Sequence, residues 1–427
     1  MKSKMGKFLI LLRRTALLGL AGVVAWAAVT INMADHYVDL AFKNKGDSDA
    51  LDRALAWDPS HPRALTLLGS QMLEAGQDEQ AAAYFQSAIM EHPADATPLI
   101  LLAEIRRRNG DIETADEMAE IANRLMPVDA AIQKLIAVYW YKRGNLDRVV
   151  PHLSTALSSD FGNRDELFPI FLEIAENPGA RGALSPITEN PPKWWDSFAS
   201  YATRTAEDID SLRVIAGMRK RSGSPISDRE RNAYINRLKK EGMLAEAYLL
   251  WINGLTAPQR QSLAYLYNGG FEQEFSNSGF GWYSRPPKNS RIVVSTATTY
   301  GITGNQALYL SFGGKRVKFG HLYQSLYLNP GKYYFSGQVR PDKLVARRGL
   351  EWIIYCNVGA QGTLGKSELF KGASDWRAFE FEIIVPPECD GQFLRLHSAG
   401  NRDVDHEIKG EIWFDELRIR LQTPLSG

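Results

Sequence analysis

The sequence predicts a multidomain chain in three parts: an N-terminal transmembrane helix, an all-α solenoid and a C-terminal all-β sandwich. Three observations predict it. A long uncharged run lies near the start, proline and glycine recur every 34 residues in the first half, and after Asn268 helical patterning gives way to short alternating runs. At 427 residues the chain is too long for a single comfortable core, so several domains are expected.

The run TALLGLAGVVAWAAVTINMA occupies residues 15–34 and follows Lys2, Lys4, Lys7, Arg13 and Arg14. A helix needs roughly 20 apolar residues to cross a bilayer. Basic residues before the run and Asp35 after it place the N-terminus in the cytoplasm and the body across the membrane. The expectation is a single-pass protein of a bacterial inner membrane, with residues 1–34 as tip and anchor and the body in the periplasm. Cleavage after Ala25-Trp26-Ala27 is the rival reading, since those residues fit a signal-peptide site. The apolar run continues past that point and exceeds the roughly 7–15 residues of a signal core, which favours the anchor. The context LLRRTALL matches a twin-arginine signal poorly.

The body begins with helical patterning over residues 35–267. Pro59, Pro93 and Pro127 are spaced by 34 residues, as are Gly76, Gly110 and Gly144. Gly69, Ala103 and Ala137 share this register, as do Phe85, Ala119 and Leu153, and Ala88, Ala122 and Ala156. Small residues at these positions let paired helices approach closely, and each glycine supplies a left-handed cap that turns the chain. Several positions in register across three units resemble the tetratricopeptide (TPR) repeat. The regular units cover residues 62–161, ALDRALAWDP reads as the second helix of an earlier irregular unit, and degenerate hairpins follow. Gly242, Ala247, Trp251 and Gly254 restore the spacing near the end.

The resemblance implies a protein partner in a groove lined by first-helix residues. The matching positions include Arg63, Ser70, Glu74, Glu104, Arg107, Arg108, Lys134, Tyr141 and Lys142. They lean basic, which suits an acidic peptide or an anionic polymer, and the plain alternative is a solvated helix face.

From residue 268 the texture changes. RIVVSTA, QALYLSF, HLYQSLYL, KYYFSGQVR, LEWIIYCNV, WRAFEFEIIV, QFLRLHS and EIWFDELRIRL are eight runs rich in β-branched and aromatic residues, separated by turn signals. They predict an antiparallel sandwich. The landmarks NGGFE, QSLYLNPGKYYFSGQVRPD and IWFDEL resemble the carbohydrate-binding-module jelly roll of the galactose-binding-like type, over residues 268–422. That resemblance implies an all-β jelly-roll sandwich and a glycan ligand.

Alternation sorts the faces of these strands. Tyr333, Phe335 and Val339 belong inside, as do Trp352, Ile354, Leu394 and Leu396, and Trp282 and Trp376 are expected in the core. The outward residues Tyr334, Gln338, Arg340, Tyr355, Asn357, Arg395 and His397 combine rings with planar polar groups, which is the chemistry a sugar requires. They are the glycan-binding candidates; the alternative is an ordinary solvated sheet face. The resemblance also implies a structural calcium held by Glu272 and Asp415, with hydrogen-bonded turns as the alternative. No other cofactor is expected. Cys356 and Cys389 are the only cysteines, either a disulfide in an oxidising compartment or two separate buried thiols.

Fifty basic against forty-nine acidic residues give a net charge of +1, which argues against a general nucleic-acid binder. The sequence contains no Gly-x-Ser-x-Gly elbow, phosphate-cradling loop or His-Glu-x-x-His helix, and Glu380 and Glu382 lie on one face of one strand rather than across a cleft. No catalytic residue is assigned. The expected function is an extracytoplasmic adaptor with a protein partner on its repeats and polysaccharide on its sandwich, in envelope or exopolysaccharide assembly or export. The alternative is a purely protein–protein scaffold with a structural jelly roll.

Overall fold

The computed structural model describes residues 2–43, 47–359 and 362–422, with side chains from Leu17 onward except at 358 and 359. The side chains of the basic flank Lys2, Lys4, Lys7, Arg13 and Arg14 therefore lie outside the described residues. Helix α1 (Lys2–Lys43) is continuous, and its segment Leu17–Lys43 is long and apolar enough to cross a membrane. Leu18 and Trp26 are 73% and 64% exposed, so no other described residue covers those side chains. The last turns behave differently. Ala34, Val38 and Ala41 are fully buried, and Val38 and Ala41 form a core with Leu51 and Ala54 of α2 (Ser48–Trp57) and Ala64 and Leu68 of α3 (Pro62–Glu74). Helix α2 thus finds its hairpin partner in the end of the apolar helix itself.

Three regular hairpins follow: α3 with α4 (Asp78–Glu91), α5 (Ala96–Arg108) with α6 (Ile112–Leu125), and α7 (Ala130–Lys142) with α8 (Leu146–Ser159). Their first helices start alike. His61, Asp95 and Asp129 stand at the three N-caps and accept backbone N–H bonds from Ala64, Thr97 and Ile132. They also end alike, with Gly76, Gly110 and Gly144 at φ +74°, +84° and +71°. Gly69 meets Phe85, whose ring lies 2.7 Å from where a Cβ would stand. The sibling pairs Ala103 with Ala119 and Ala137 with Leu153 are smaller on the second helix, so only this repeat requires glycine on the first.

The remaining helices are α9 (Arg164–Glu176), α10 (Ser185–Glu189), α11 (Trp195–Thr205), α12 (Ile209–Arg221), α13 (Asp228–Lys240), α14 (Leu244–Asn253) and α15 (Ala257–Gln261). The chain forms two compact units, residues 1–195 with 217–224, and 196–216 with 225–427. In the first, the NPPKWW segment supplies core: Trp194 stacks on Phe171 at 5.1 Å. In the second, α13 and α14 turn at Gly242, φ +76°, and bury Ile235, Leu238, Ala247 and Trp251 with Tyr267 and Phe280. The unit that carries the sandwich thus begins well before the change of composition at Asn268.

Ten antiparallel strands make the sandwich. One sheet runs β1 (Trp282–Ser284), β4 (Leu322–Leu326), β9 (Cys389–Ser398), β6 (Leu350–Gly359), β7 (Thr363–Lys366). The other runs β2 (Ile292–Ala297), β3 (Ala307–Arg316), β10 (Glu407–Leu421), β5 (Gly331–Ala346), β8 (Arg377–Val385). All eight predicted runs are strands; β1 and β7, of 3 and 4 residues, are additional edges. Between the sheets pack Phe271, Trp282, Phe335, Trp352, Leu394, Leu396 and Phe414. Phe271, at φ +57°, lies against Trp282 at 5.4 Å, and Trp282 Nε1 donates to Asn268 O at 3.0 Å. Cys356 and Cys389 are joined by a disulfide that links β6 to β9 across 33 residues. By loop-closure entropy such a link contributes about 3–4 kcal/mol.

Trp376 is not in the core. It precedes β8 and so escapes the strand alternation; half-buried at the surface, it donates Nε1–H to Tyr300 O at 2.7 Å.

Replacing Gly69 by Ala should gain up to about 1 kcal/mol of helix propensity and lose about 1–3 kcal/mol to overpacking against the fully buried Phe85. A net fall in melting temperature is expected, and F85L combined with G69A should melt higher than the sum of the two single changes predicts. Strict additivity of the two would show that the ring does not set the glycine.

Candidate functional site

The outer face of the β1-β4-β9-β6-β7 sheet carries three rows of side chains fixed by strand register. Tyr283, Tyr323, Arg395 and Ile353 stand opposite one another across four strands. Ser325, Phe393 and Tyr355 form the next row, and His397 pairs with Glu351 in the third. Their partners on the alternate positions, Leu322, Leu394, Leu396 and Ile354, are fully buried, so the pleat forces the rows outward.

The rows form a continuous surface. Tyr283 and Tyr323 stack at 4.9 Å with planes 4° apart, and Phe393 meets Tyr323 and Tyr355 at 5.7 and 5.8 Å. The Arg395 guanidinium lies 5.6 Å from the Tyr323 ring centre and 5.3 Å from that of Tyr355. At the Tyr283 end, α13 closes the face. Lys239 Nζ donates to Ser325 Oγ at 2.7 Å and Gly279 O at 3.0 Å, over the rings of Phe280 and Tyr283. Burial lowers its pKa to about 8.

At the other end His397 Nε2 lies 3.2 Å from Glu351 Oε1, yet burial outweighs that attraction and lowers the histidine's pKa. His321 is lowered too, by burial and then by the charge of Arg395. Both imidazoles are therefore neutral near pH 7 and offer one donor and one acceptor each. Rings for C–H faces, flanked by fixed polar groups, can hold a pyranose.

The seven sequence-predicted glycan candidates do not make one site. Tyr355, Asn357, Arg395 and His397 belong to this sheet, whereas Tyr334, Gln338 and Arg340 lie on β5, in the opposite sheet, facing away. The non-local strand order separates them. Arg340 is only 9% exposed, enclosed by Tyr300, Trp413 and Trp376 at 4.6, 5.1 and 5.6 Å, and donates to Thr299 Oγ1 at 3.0 Å. Gln338 borders a depression of about 440 Å³ with Ser336, Glu380, Arg418 and Arg420. Glu380 is held by Arg420 at 2.8 Å, and Glu382 lies 3.9 Å from Lys332. Tyr283, Tyr323 and Lys239 are participants that sequence reasoning missed; the alternation Leu322, Tyr323, Gln324 was the available signal for Tyr323.

Glu272 and Asp415 converge on one loop. Glu272 Oε1 accepts from Asn305 N and Gln306 N at 2.8 and 3.1 Å, and Asp415 Oδ2 accepts from Thr303 N at 2.9 Å. Between them Gly304, φ +86°, leaves a Cβ position 2.2 Å from Glu272 Oε1. Burial raises the pKa of Asp415, and the charges of Glu416 and Glu272 add to the rise. Neither Glu272 nor Asp415 has an ion-pair partner among the described residues, where no group of three or more metal-binding side chains occurs. Asp415 Oδ1 also accepts from Glu416 N at 2.7 Å, so both carboxylates are hydrogen-bonded to backbone N–H groups; hard oxygens of this kind are also the type that calcium takes.

Of the repeat-groove candidates, the structure brings four together. Glu104 accepts from Arg107 Nε at 2.8 Å, Arg108 Nε at 3.1 Å and Lys142 Nζ at 2.9 Å. Arg63 stands apart beside Asp39 at 3.6 Å, and Lys134 pairs with Glu166 at 2.9 Å. Tyr141, 67% exposed, borders an apolar cavity of about 320 Å³ with Val138, Leu153 and Ile174. Burial alone would raise the pKa of Glu104, but its bonds to Arg107, Lys142 and Arg108 outweigh it and hold it at about 2.

No family model matches the chain, and no curated protein does. Among solved structures, a thermophilic TPR protein of Thermus thermophilus is similar over 44% of this chain and 98% of its own, at 19% identity and TM-score 0.28. The CBM22-1 xylan-binding domain from Paenibacillus barcinonensis is similar over 36% of this chain and 91% of its own, at 18% identity and TM-score 0.25. TmCBM61, solved with β-1,4-galactotriose, is similar over 38% of this chain and all of its own (100%), at 18% identity and TM-score 0.26. The helical region is a series of hairpins and the β region a two-sheet sandwich.

A depressed carboxyl pKa stabilises the fold above the unfolded value, and that contribution drains away as pH falls from about 4.5 towards the folded value of about 2. E104Q should therefore flatten the acid limb of the stability profile and cost about 1–2 kcal/mol at pH 7, because three cations lose their shared partner. Urea titrations at pH 3 and pH 7 test this; an equal loss at both would contradict the linkage.

Proposed function

We propose that the chain is a membrane-anchored, extracytoplasmic adaptor of a bacterial envelope, whose repeats hold a protein partner while its sandwich contacts glycan. A place in polysaccharide assembly, export or surface attachment follows from joining a sugar reader to a scaffold on one tether. The observation that carries the glycan half is the unbroken surface from Tyr323 through Arg395 to Tyr355, with buried Tyr283 stacked behind Tyr323. Supporting the anchor is the exposed apolar stretch of α1, and the disulfide suits a compartment outside the cytoplasm. We assign the protein partner to the face near Tyr141, where an exposed ring borders an apolar cavity.

Affinity electrophoresis of the full-length protein in detergent through gels cast with bacterial polysaccharides tests the glycan reading. Retardation by at least one polymer is expected, weakened roughly 2- to 10-fold in Y323A and Y355A, as loss of about 0.5–1.5 kcal/mol per ring implies. Free migration in every polymer would leave the protein–protein scaffold as the better reading.

We also propose that Glu272 and Asp415 hold a structural calcium ion. Addition of calcium to chelator-treated protein should raise the melting temperature, and D415N and E272Q should abolish the increase. An identical shift in the variants would place calcium elsewhere.

A further inference from the structure

We infer that the ligand of the β1-β4-β9-β6-β7 face is an acidic polysaccharide, read through a carboxylate that docks on Arg395. This rests on the glycan-binding reading above and goes further by naming the charge of the sugar.

The guanidinium of Arg395 makes no hydrogen bond or ion pair with any described residue. Its Nε is shut away from solvent without a partner, while its terminal nitrogens are not. Arg285, near the Tyr283 ring, has no side-chain partner either but is exposed, and most other arginines in aromatic surroundings are partnered. Arg340 donates to Thr299, Arg148 over Trp140 pairs with Glu120, and Arg377 near Phe370 pairs with Glu368. Arg395 is thus a half-buried cation that has surrendered part of its hydration and received ring faces in exchange, with its terminal N–H edge left to something outside the fold.

No neighbour pairs directly with the guanidinium. In the three rows the single carboxylate is Glu351, which is 8% exposed and turned to His397. The charge of Arg395 adds to burial in disfavouring protonation of His321, whereas at His397 the nearer Glu351 opposes it. Lys239, at the other end, is bound to an uncharged hydroxyl and a carbonyl.

A neutral glycan would bury this guanidinium further and return hydroxyl bonds only. A planar carboxylate meets its fork with two parallel charge-assisted bonds, which are roughly twice as strong as neutral ones. Tyr323 and Tyr355 flank the guanidinium, so a pyranose covering either ring brings an exocyclic carboxylate to its edge. Uronic acids carry that group at the ring carbon; pyruvate ketals carry it on a side acetal.

The experiment uses full-length protein in detergent, with alginate, polygalacturonate and glucuronan as probes, each beside its carboxyl-reduced neutral form. Succinoglycan with and without its pyruvate groups forms the second arm. Isothermal titration and affinity gels should show binding to at least one acidic polymer, weakened about 10-fold or more by carboxyl reduction or depyruvylation. Affinity should fall as salt rises. R395Q should lose the same factor at unchanged melting temperature, and R395K should retain part of it. A polyuronate response assigns the carboxylate to the ring, and a response confined to succinoglycan assigns it to the ketal.

Equal binding of acidic and neutral forms overturns the inference while leaving the glycan reading standing. Binding of neither, across all the polymers, overturns both. Should R395Q fail to fold, the paired polymers with unaltered protein still decide the matter.

Discussion

The pleat of one sheet is the constraint on which the candidate site depends. Trp352, Ile354, Leu394, Leu396 and Leu322 must all point inward to fill the space between two sheets, and each is completely buried. Their neighbours have no choice of direction. A slip of one residue in β9 would drive Arg395 and His397 into the apolar interior and expose Leu394 and Leu396, an exchange that costs several kcal/mol per residue reversed. The surface row is therefore as firmly specified as the core, although its own side chains contribute little to specifying it. The disulfide between β6 and β9 ties together the two strands that supply Tyr355 and Arg395.

The structure offers cations two kinds of environment. In the repeats, carboxylates answer them: Glu104 serves Arg107, Arg108 and Lys142, and Asp116 serves Arg143 at 3.0 Å. In the unit that carries the sandwich, rings do much of the same task for Arg340, Arg395 and Lys239. A carboxylate cancels a cation's outward field, whereas an aromatic face stabilises the cation and leaves its charge able to act on a ligand. That contrast sets Arg340, Arg395 and Lys239 apart from Arg377 and Arg420 of the same unit, which have carboxylate partners.

Local rules made much of this legible in the sequence, and non-local geometry accounts for what was not. The period of 34 residues located the hairpins because glycine and capping residues act within a few positions of where they stand. Eight strands were readable from alternation, whereas β1 and β7 are too short to show a period. Strand order was beyond reach, since nothing in KYYFSGQVR says that β5 pairs with β10 and β8 rather than with β9. The expected ligand set was accordingly split between opposite faces. Trp376 was misassigned because no strand passes through it, and the partnership of α2 with the end of α1 was hidden by reading the apolar run as anchor alone.

That partnership has a mechanical consequence. Helix α1 passes from its exposed stretch into the packed positions Ala34, Val38 and Ala41 without a break. There is no swivel. With the exposed stretch taken up by a bilayer, the helix acts as an axle keyed to the repeats, and each residue added within it turns them by roughly 100° and lifts them by about 1.5 Å. In that setting the number of residues between lipid and core would set the compass bearing of the repeats about the membrane normal, so that the spacer's length, as much as its hydrophobicity, would carry information.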